Sequence, residues 1–119
     1  MSERELEVYV AEEQGVSVIV VDGPVDSATI ETFKSRLDAV CLKPGLRVLI
    51  DCSKLSYLNS RAIGLLVKYH RSLLLTRGRL ALCGLNSRLV RTLDLLQLGK
   101  MLVSYPSKDD AMTALAPKG

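Results

Sequence analysis

Leu6, Val8 and Val10 alternate with Glu7, Tyr9 and Ala11, the period-two pattern of a half-exposed strand. After a turn at Gln14-Gly15, Val16 to Val21 is almost wholly β-branched, as in a buried strand. Asp22-Gly23-Pro24 is expected to break it, and the two strands are close enough to form an antiparallel hairpin. Helical spacing comes next. Ala28, Ile30, Phe33, Leu37 and Val40 share a face, Asp26 or Ser27 supplies a cap, and Lys43-Pro44-Gly45 is a stop. Leu46 to Ile50 is a third apolar strand ending at Asp51. A short loop holding Leu55 and Leu58 then leads to Asn59-Ser60.

The longest helix is predicted from about Arg61 to about Thr76. Ile63, Leu66, Val67, His70 and Leu74 share one face, with Ala62, Leu65, Tyr69 and Leu73 beside it. An apolar arc that wide predicts a well-buried helix. Arg77-Gly78 is its stop, and Leu80 to Leu85 is a fourth strand. Asn86 or Ser87 caps a third helix with Leu89, Leu93 and Leu96 inward, and Gly99 ends it. Met101 to Tyr105 is a short last strand. Ser107 caps a final helix through Ala111 to Leu115. The order β-β-α-β-α-β-α-β-α predicts an α/β fold: a mostly parallel mixed sheet, one N-terminal antiparallel strand and four helices. At 119 residues, without internal repeat or linker, the chain is expected to form one domain over 1–119.

Composition narrows the function classes. Aromatic residues make up 4% and Trp is absent, so the core is aliphatic and a base-stacking platform for nucleic acid is hard to build. The net charge of +3 is too small to argue for a polyanion partner. The charge is uneven: residues 1–59 hold a net −4 and residues 60–119 a net +7, a dipole that could orient a docking protein. Cys41, Cys52 and Cys83 are odd in number and lack C-x-x-C spacing, which argues against both a disulfide framework and a zinc site. Ser2-Glu3-Arg4-Glu5 is no secretory signal, and no apolar run approaches the roughly 20 residues of a membrane helix, so a cytoplasmic location away from membranes is expected.

Few constellations carry chemistry. Ser60 stands between a short loop and a long helix, where Asn59 or Ser60 caps the helix, or Ser60 accepts a phosphate that the free N–H groups of the first turn tolerate. Asp26 and Asp51 are both candidates to lie near it, since loops at the carboxyl ends of parallel strands gather at one edge. His70 is the sole histidine and reads as a packed or half-exposed core residue. Ten residues of helix put it roughly 15 Å from Ser60, which excludes a serine–histidine pair. No G-x-S-x-G elbow, P-loop or G-x-G-x-x-G occurs. The residues thus point to a binding protein, with no catalytic residue, metal site or cofactor. Asp51 as an aspartyl-phosphate acceptor is a further alternative, although the paired acidic residues of such receivers are missing.

The run Val48-Leu-Ile-Asp-Cys-Ser-Lys-Leu-Ser-Tyr-Leu-Asn-Ser-Arg-Ala-Ile-Gly64 closely resembles the central motif of STAS domains, found in bacterial anti-sigma-factor antagonists and in sulfate-transporter tails. The family pattern is a strand ending in Asp, a short loop, Asp or Asn, then Ser or Thr, and a helix containing Gly. Here these are Asp51, Asn59, Ser60 and Gly64. Gly23-Pro-Val-Asp26, Arg77-Gly-Arg-Leu-Ala-Leu-Cys-Gly84 and the stretch from Asn86 to Leu98 resemble the family in the same order. The resemblance implies an antagonist that binds an anti-sigma factor, itself a serine kinase, through Asp26, Asn59, Ser60, Arg61 and Gly64. Phosphorylation of Ser60 would release that partner, a serine phosphatase would reset it, and transcription would be regulated through the freed sigma factor. A homodimer is left open. The alternative is an unphosphorylated scaffold or transporter-accessory subunit. Three positions depart from the pattern: Asn59 where many antagonists carry Asp, Arg61 where a small residue is common, and Ala62 where Gly is common.

Overall fold

The hairpin is closed by Gln14 and Gly15, both at positive φ, the two-residue turn whose twist suits antiparallel strands. It joins β1 (Glu7–Glu13) to β2 (Val16–Val25). These belong to a computed structural model that describes residues 5–117; Ser2, Glu3 and Arg4, weighed above against a secretory signal, lie outside them. The Asp22-Gly23-Pro24 break expected from the sequence does not occur. Gly23 sits at φ +118 and absorbs a register shift, and its N–H donates to the Lys54 carbonyl at 3.0 Å. The strand therefore bulges and runs on to Val25 instead of turning. A Cβ on Gly23 would also press on the Glu5 carbonyl, at 3.2 Å.

That bulge gives β2 two parallel partners in succession. Ser17 to Val20 pair with β3 (Arg47–Asp51), and Gly23 to Val25 pair with β4 (Leu55–Leu58). The segment holding Leu55 and Leu58, expected to be loop, is thus a fourth strand. Its period is too short to see in sequence, but both leucines are buried. The other elements keep the expected order: α1 (Ile30–Cys41), α2 (Ser60–Leu75), β5 (Arg79–Cys83), α3 (Ser87–Leu95), β6 (Ser104–Tyr105) and α4 (Lys108–Leu115). The sheet runs β1-β2-β3-β5-β6, with β4 on the extension of β2, and only β1 is antiparallel.

The sheet has a core on each face. Phe33, Leu37, Leu66, Tyr69 and Leu73 bring α1 and α2 down on Ile19, Val21, Ile50 and Leu82, and α3 adds Leu89 and Leu93. Ala111, Met112 and Leu115 of α4 cover Val16, Val18, Leu49 and Ala81 on the other face. Three local expectations change. Leu96 is half exposed, because α3 ends at Leu95 and Leu96 only closes its last turn. The last strand shrinks to two residues, because the Leu102 N–H is taken by the Leu98 carbonyl at 2.8 Å. The α2 stop works differently too. Arg77 takes the left-handed conformation, while Gly78 is needed because a Cβ there would run into the Leu46 carbonyl.

One polar strap ties α1 to α2. The Tyr69 hydroxyl, at the end of a fully buried ring, donates to Asp38 Oδ1 at 2.6 Å, and Lys34 pairs with Asp38 Oδ2 at 2.8 Å. The Lys34 and Tyr69 hydrogen bonds hold the Asp38 carboxyl below its ordinary range, whereas burial and then Asp38 push the Tyr69 phenol up. Burial also raises the thiols, Cys41 to about 12 and Cys83 to about 11. A lowered carboxyl stabilises above its unfolded value and loses that stabilisation as pH falls. Raised phenol and thiols stabilise below their unfolded values of 10.0 and 9.0 and lose it as pH rises. Burial lowers the His70 pKa as well, and that group loses stabilisation as pH falls through its unfolded value of 6.5, so the urea midpoint should be flat from about pH 7 to about 8 and fall on either side. Tyr69→Phe should cost about 1–2 kcal/mol in the same assay at pH 7.

Candidate functional site

β2 and β4 end side by side, with Val25 opposite Leu58. The next residues are Asp26 and Asn59, and the Asn59 N–H donates to the Val25 carbonyl at 3.0 Å. Asp26 and the start of α2 therefore share one ledge at the carboxyl edge of the sheet, as the sequence suggested. Asn59 is extended, and its side chain accepts from the Ala62 N–H at 2.8 Å. Its carbonyl takes the Ile63 N–H at 3.1 Å. The cap is thus Asn59. Ser60, the first helical residue, is exposed, and its hydroxyl makes no hydrogen bond among the described residues.

Asp26 is a cap as well. Its Oδ1 accepts from the N–H groups of Ala28 and Thr29, at 2.9 and 3.1 Å. Thr29 answers reciprocally: its hydroxyl oxygen accepts the Asp26 N–H at 3.0 Å and the hydroxyl donates to the Pro24 carbonyl at 2.8 Å. This is a capping box that opens the turn into α1. Ser27 plays no part in it. The sequence signal for Thr29 is the Asp26-x-x-Thr29 spacing.

Two charged or small residues complete the surface. Arg61 pairs with Glu31 of α1 at 2.8 Å, both side chains being more than half exposed, so the pair contributes little stability. Thirty residues separate them, and no sequence signal links them. Gly64 lies one turn beyond Ser60, is exposed, and a Cβ there would meet nothing within 4 Å. The fold does not need this glycine, which costs about 1 kcal/mol against Ala inside a helix.

Asp51 is not part of the ledge. It pairs in register with Val20 and Cys83, five residues back along β2 from Val25, which is about 16 Å of strand. Its Oδ1 is occupied by the Ser53 N–H at 3.0 Å. His70 is half-buried further along α2, its Nδ1 has no hydrogen-bond partner among the described residues, and burial, then Arg71, lowers its pKa and keeps it neutral at pH 7. Among the described residues no His, Cys, Asp and Glu cluster could hold a metal ion.

The chemistry open to this ledge is that of a helix start without acid. From Ser60 to Leu75 there is no Asp or Glu. A negative group on Ser60 would meet the positive end of the helix dipole and the free N–H groups of the first turn. It would break no hydrogen bond, because Asn59 already makes the cap. Asn59→Ala should accordingly lower stability by about 1 kcal/mol, whereas Ser60→Ala should stay within about 0.5 kcal/mol of wild type in chemical denaturation. The reverse ranking would mean that the serine is the cap.

Comparison with known proteins bears on the fold and the family. The STAS domain family model matches residues 7–111. An anti-sigma-B factor antagonist from Listeria monocytogenes is 31% identical over 84 residues, which are 71% of this chain and 74% of the relative. The crystal structure of an anti-sigma factor antagonist from Mycobacterium paratuberculosis superposes with a TM-score of 0.83 at 27% identity, covering 95% of this chain and 96% of that one. The phosphorylated form of the Bacillus cell fate determinant SpoIIAA shares the fold at a TM-score of 0.68 and 16% identity, over 91% of this chain and 98% of that one. With the family model spanning every strand and helix except the end of α4, the chain belongs to the STAS domain family.

Proposed function

We propose that this protein is an anti-sigma-factor antagonist of the cytoplasm that acts by binding and not by catalysis. It docks a serine kinase that doubles as anti-sigma factor through Asp26, Asn59, Ser60, Arg61 and Gly64. Phosphorylation of Ser60 releases that partner, and a serine phosphatase restores binding. The observation that carries this reading is the division of work at the start of α2: Asn59 makes the cap, and the Ser60 hydroxyl stands exposed and unbonded.

The physics of the switch is local. A phosphate adds about −1.5 to −2 charges at a helix start that accommodates them, so the fold persists while the docking surface changes sign. Gly64 supports the same reading from another side. A bare helix turn that packing does not require lets a partner approach the backbone beside the serine.

Binding of purified wild type, Ser60→Ala and Ser60→Asp to the anti-sigma factors of the source cell tests the switch. Ser60→Ala should bind as wild type does in its unphosphorylated form, and Ser60→Asp at least about tenfold more weakly. Equal binding by all three would overturn the switch, and a stable complex that never carries phosphate on Ser60 would favour a scaffold. Gly64→Leu should lose binding while its melting temperature holds, because the added side chain points into open space.

A further inference from the structure

The amino edge of the sheet, at the far end from Ser60, holds two arginines side by side. Arg47 opens β3 and Arg79 opens β5, and they stand directly opposite each other in the parallel register. Leu49 and Ala81, two residues on, lie in the core beneath α4, so both arginines point to that same face. Neighbouring strands are roughly 4.8 Å apart, and like charges in opposed positions destabilise a sheet. Arg47 has a structural tie: its guanidinium donates to the Leu115 carbonyl at the end of α4, at 3.1 Å. Arg79 has none. Its exposed side chain makes no hydrogen bond among the described residues, and neither arginine is in an ion pair among them. Both line an open recess of about 400 Å³ beside the last turn of α4.

A second cavity adjoins the recess and shares Arg79, Ala114 and Leu115 with it. It follows from the shortness of β6. That strand begins opposite Leu82, so among the described residues Arg79 to Ala81 have no strand on that side. The space is about 60 Å³, and Leu74, Leu80, Ala81 and Val103 give it an apolar wall. His70 also lines it but is neutral at pH 7, so of its lining residues only Arg79 is charged. Leu74 and Val103 are both exposed, so the chain leaves this apolar surface uncovered.

We propose that this edge binds an aliphatic carboxylate, with the carboxylate between Arg47 and Arg79 and a short alkyl group in the cavity beside β5. Guanidiniums present forks of N–H donors that a carboxylate accepts bidentately. The bound anion offsets the repulsion between the two arginines, which the fold itself leaves unbalanced. An inorganic anion would do that much but leave the apolar cavity to water. Size limits the alkyl group. A cavity of about 150 Å³ takes a benzene ring, so one of about 60 Å³ suits a shorter chain such as the isobutyl group of leucine. A peptide ending in leucine and a free branched-chain acid share this chemistry. The site is separate from the docking ledge: Ser60 begins α2, and Leu74 is next to its last residue.

The test is titration of the full chain, followed by two-dimensional amide NMR spectra, with isocaproate, N-acetyl-leucine, N-acetyl-leucinamide and acetate. Isocaproate or N-acetyl-leucine should move the resonances of Ala81, Val103 and Leu115. Equal affinity for the two would assign a peptide C-terminus as the source, and preference for isocaproate a free acid. The amide lacks the carboxylate and acetate lacks the alkyl group, so both should bind at least about tenfold more weakly. Arg79→Met should weaken binding by at least the same factor, as should Ala114→Phe, whose ring would block the junction of the two cavities. Both positions are exposed, so the melting temperatures should hold. Unmoved resonances with all four probes would overturn the proposal, and so would equal binding by wild type and Arg79→Met. Acetate or the amide binding as tightly as isocaproate would overturn the assigned ligand class.

Discussion

The site depends on one strand changing partner. β2 pairs first with β3 and then, past the Gly23 bulge, with β4. Pro24 offers no N–H, so an uninterrupted ladder through it would lack a bond, and the shift at Gly23 lets the chain resume pairing in a new register. β4 then ends opposite Val25, and its last turn into α2 is held by the Asn59 N–H on the Val25 carbonyl. Were the strand to stop at Asp22, as its residues suggest, β4 would have no partner and the start of α2 no fixed place beside Asp26.

That placement sets residues that hold the fold beside neighbours that the fold leaves exposed. Asn59 bears the helix cap and Asp26 the turn into α1, each through its side-chain Oδ1. The Ser60 hydroxyl makes no hydrogen bond among the described residues, and Gly64 could hold a side chain without collision. Surfaces that switch gain from this arrangement, because a modification then changes what a partner meets without drawing on the stability of the domain. The ion pair between Arg61 and Glu31 adds a cation and an anion to the rim, where exposed charges set encounter rates and selectivity more than affinity.

The two cores explain how a small domain holds this edge steady. α1 and α2 are clamped by the Tyr69–Asp38 strap as well as by apolar packing, so the helix that carries Ser60 has little freedom to slide. α4 covers the opposite face and braces β3 and β5, and β5 leads into α3. The buried thiols are part of this packing. Their raised pKa values keep them protonated, and they act as small apolar side chains.

Most elements could be read from the chain because their causes are local. The alternation in β1, the helical spacing in α1 to α4 and the caps at Asn59, Asn86 and Ser107 all depend on contacts within four residues. The run from Asp51 to Gly64, together with the stretches at Gly23–Asp26, Arg77–Gly84 and Asn86–Leu98 in the same order, carries the family resemblance. The tertiary structure alone decided the rest. It made β4 a strand, set Asp26 beside Asn59, kept Asp51 about 16 Å back along the sheet, and joined Arg61 to Glu31. These are matters of strand register and of contacts between distant segments, and no local pattern encodes them. Periodicity says which residues face inward, but only the hydrogen-bonded sheet says which strand ends lie side by side.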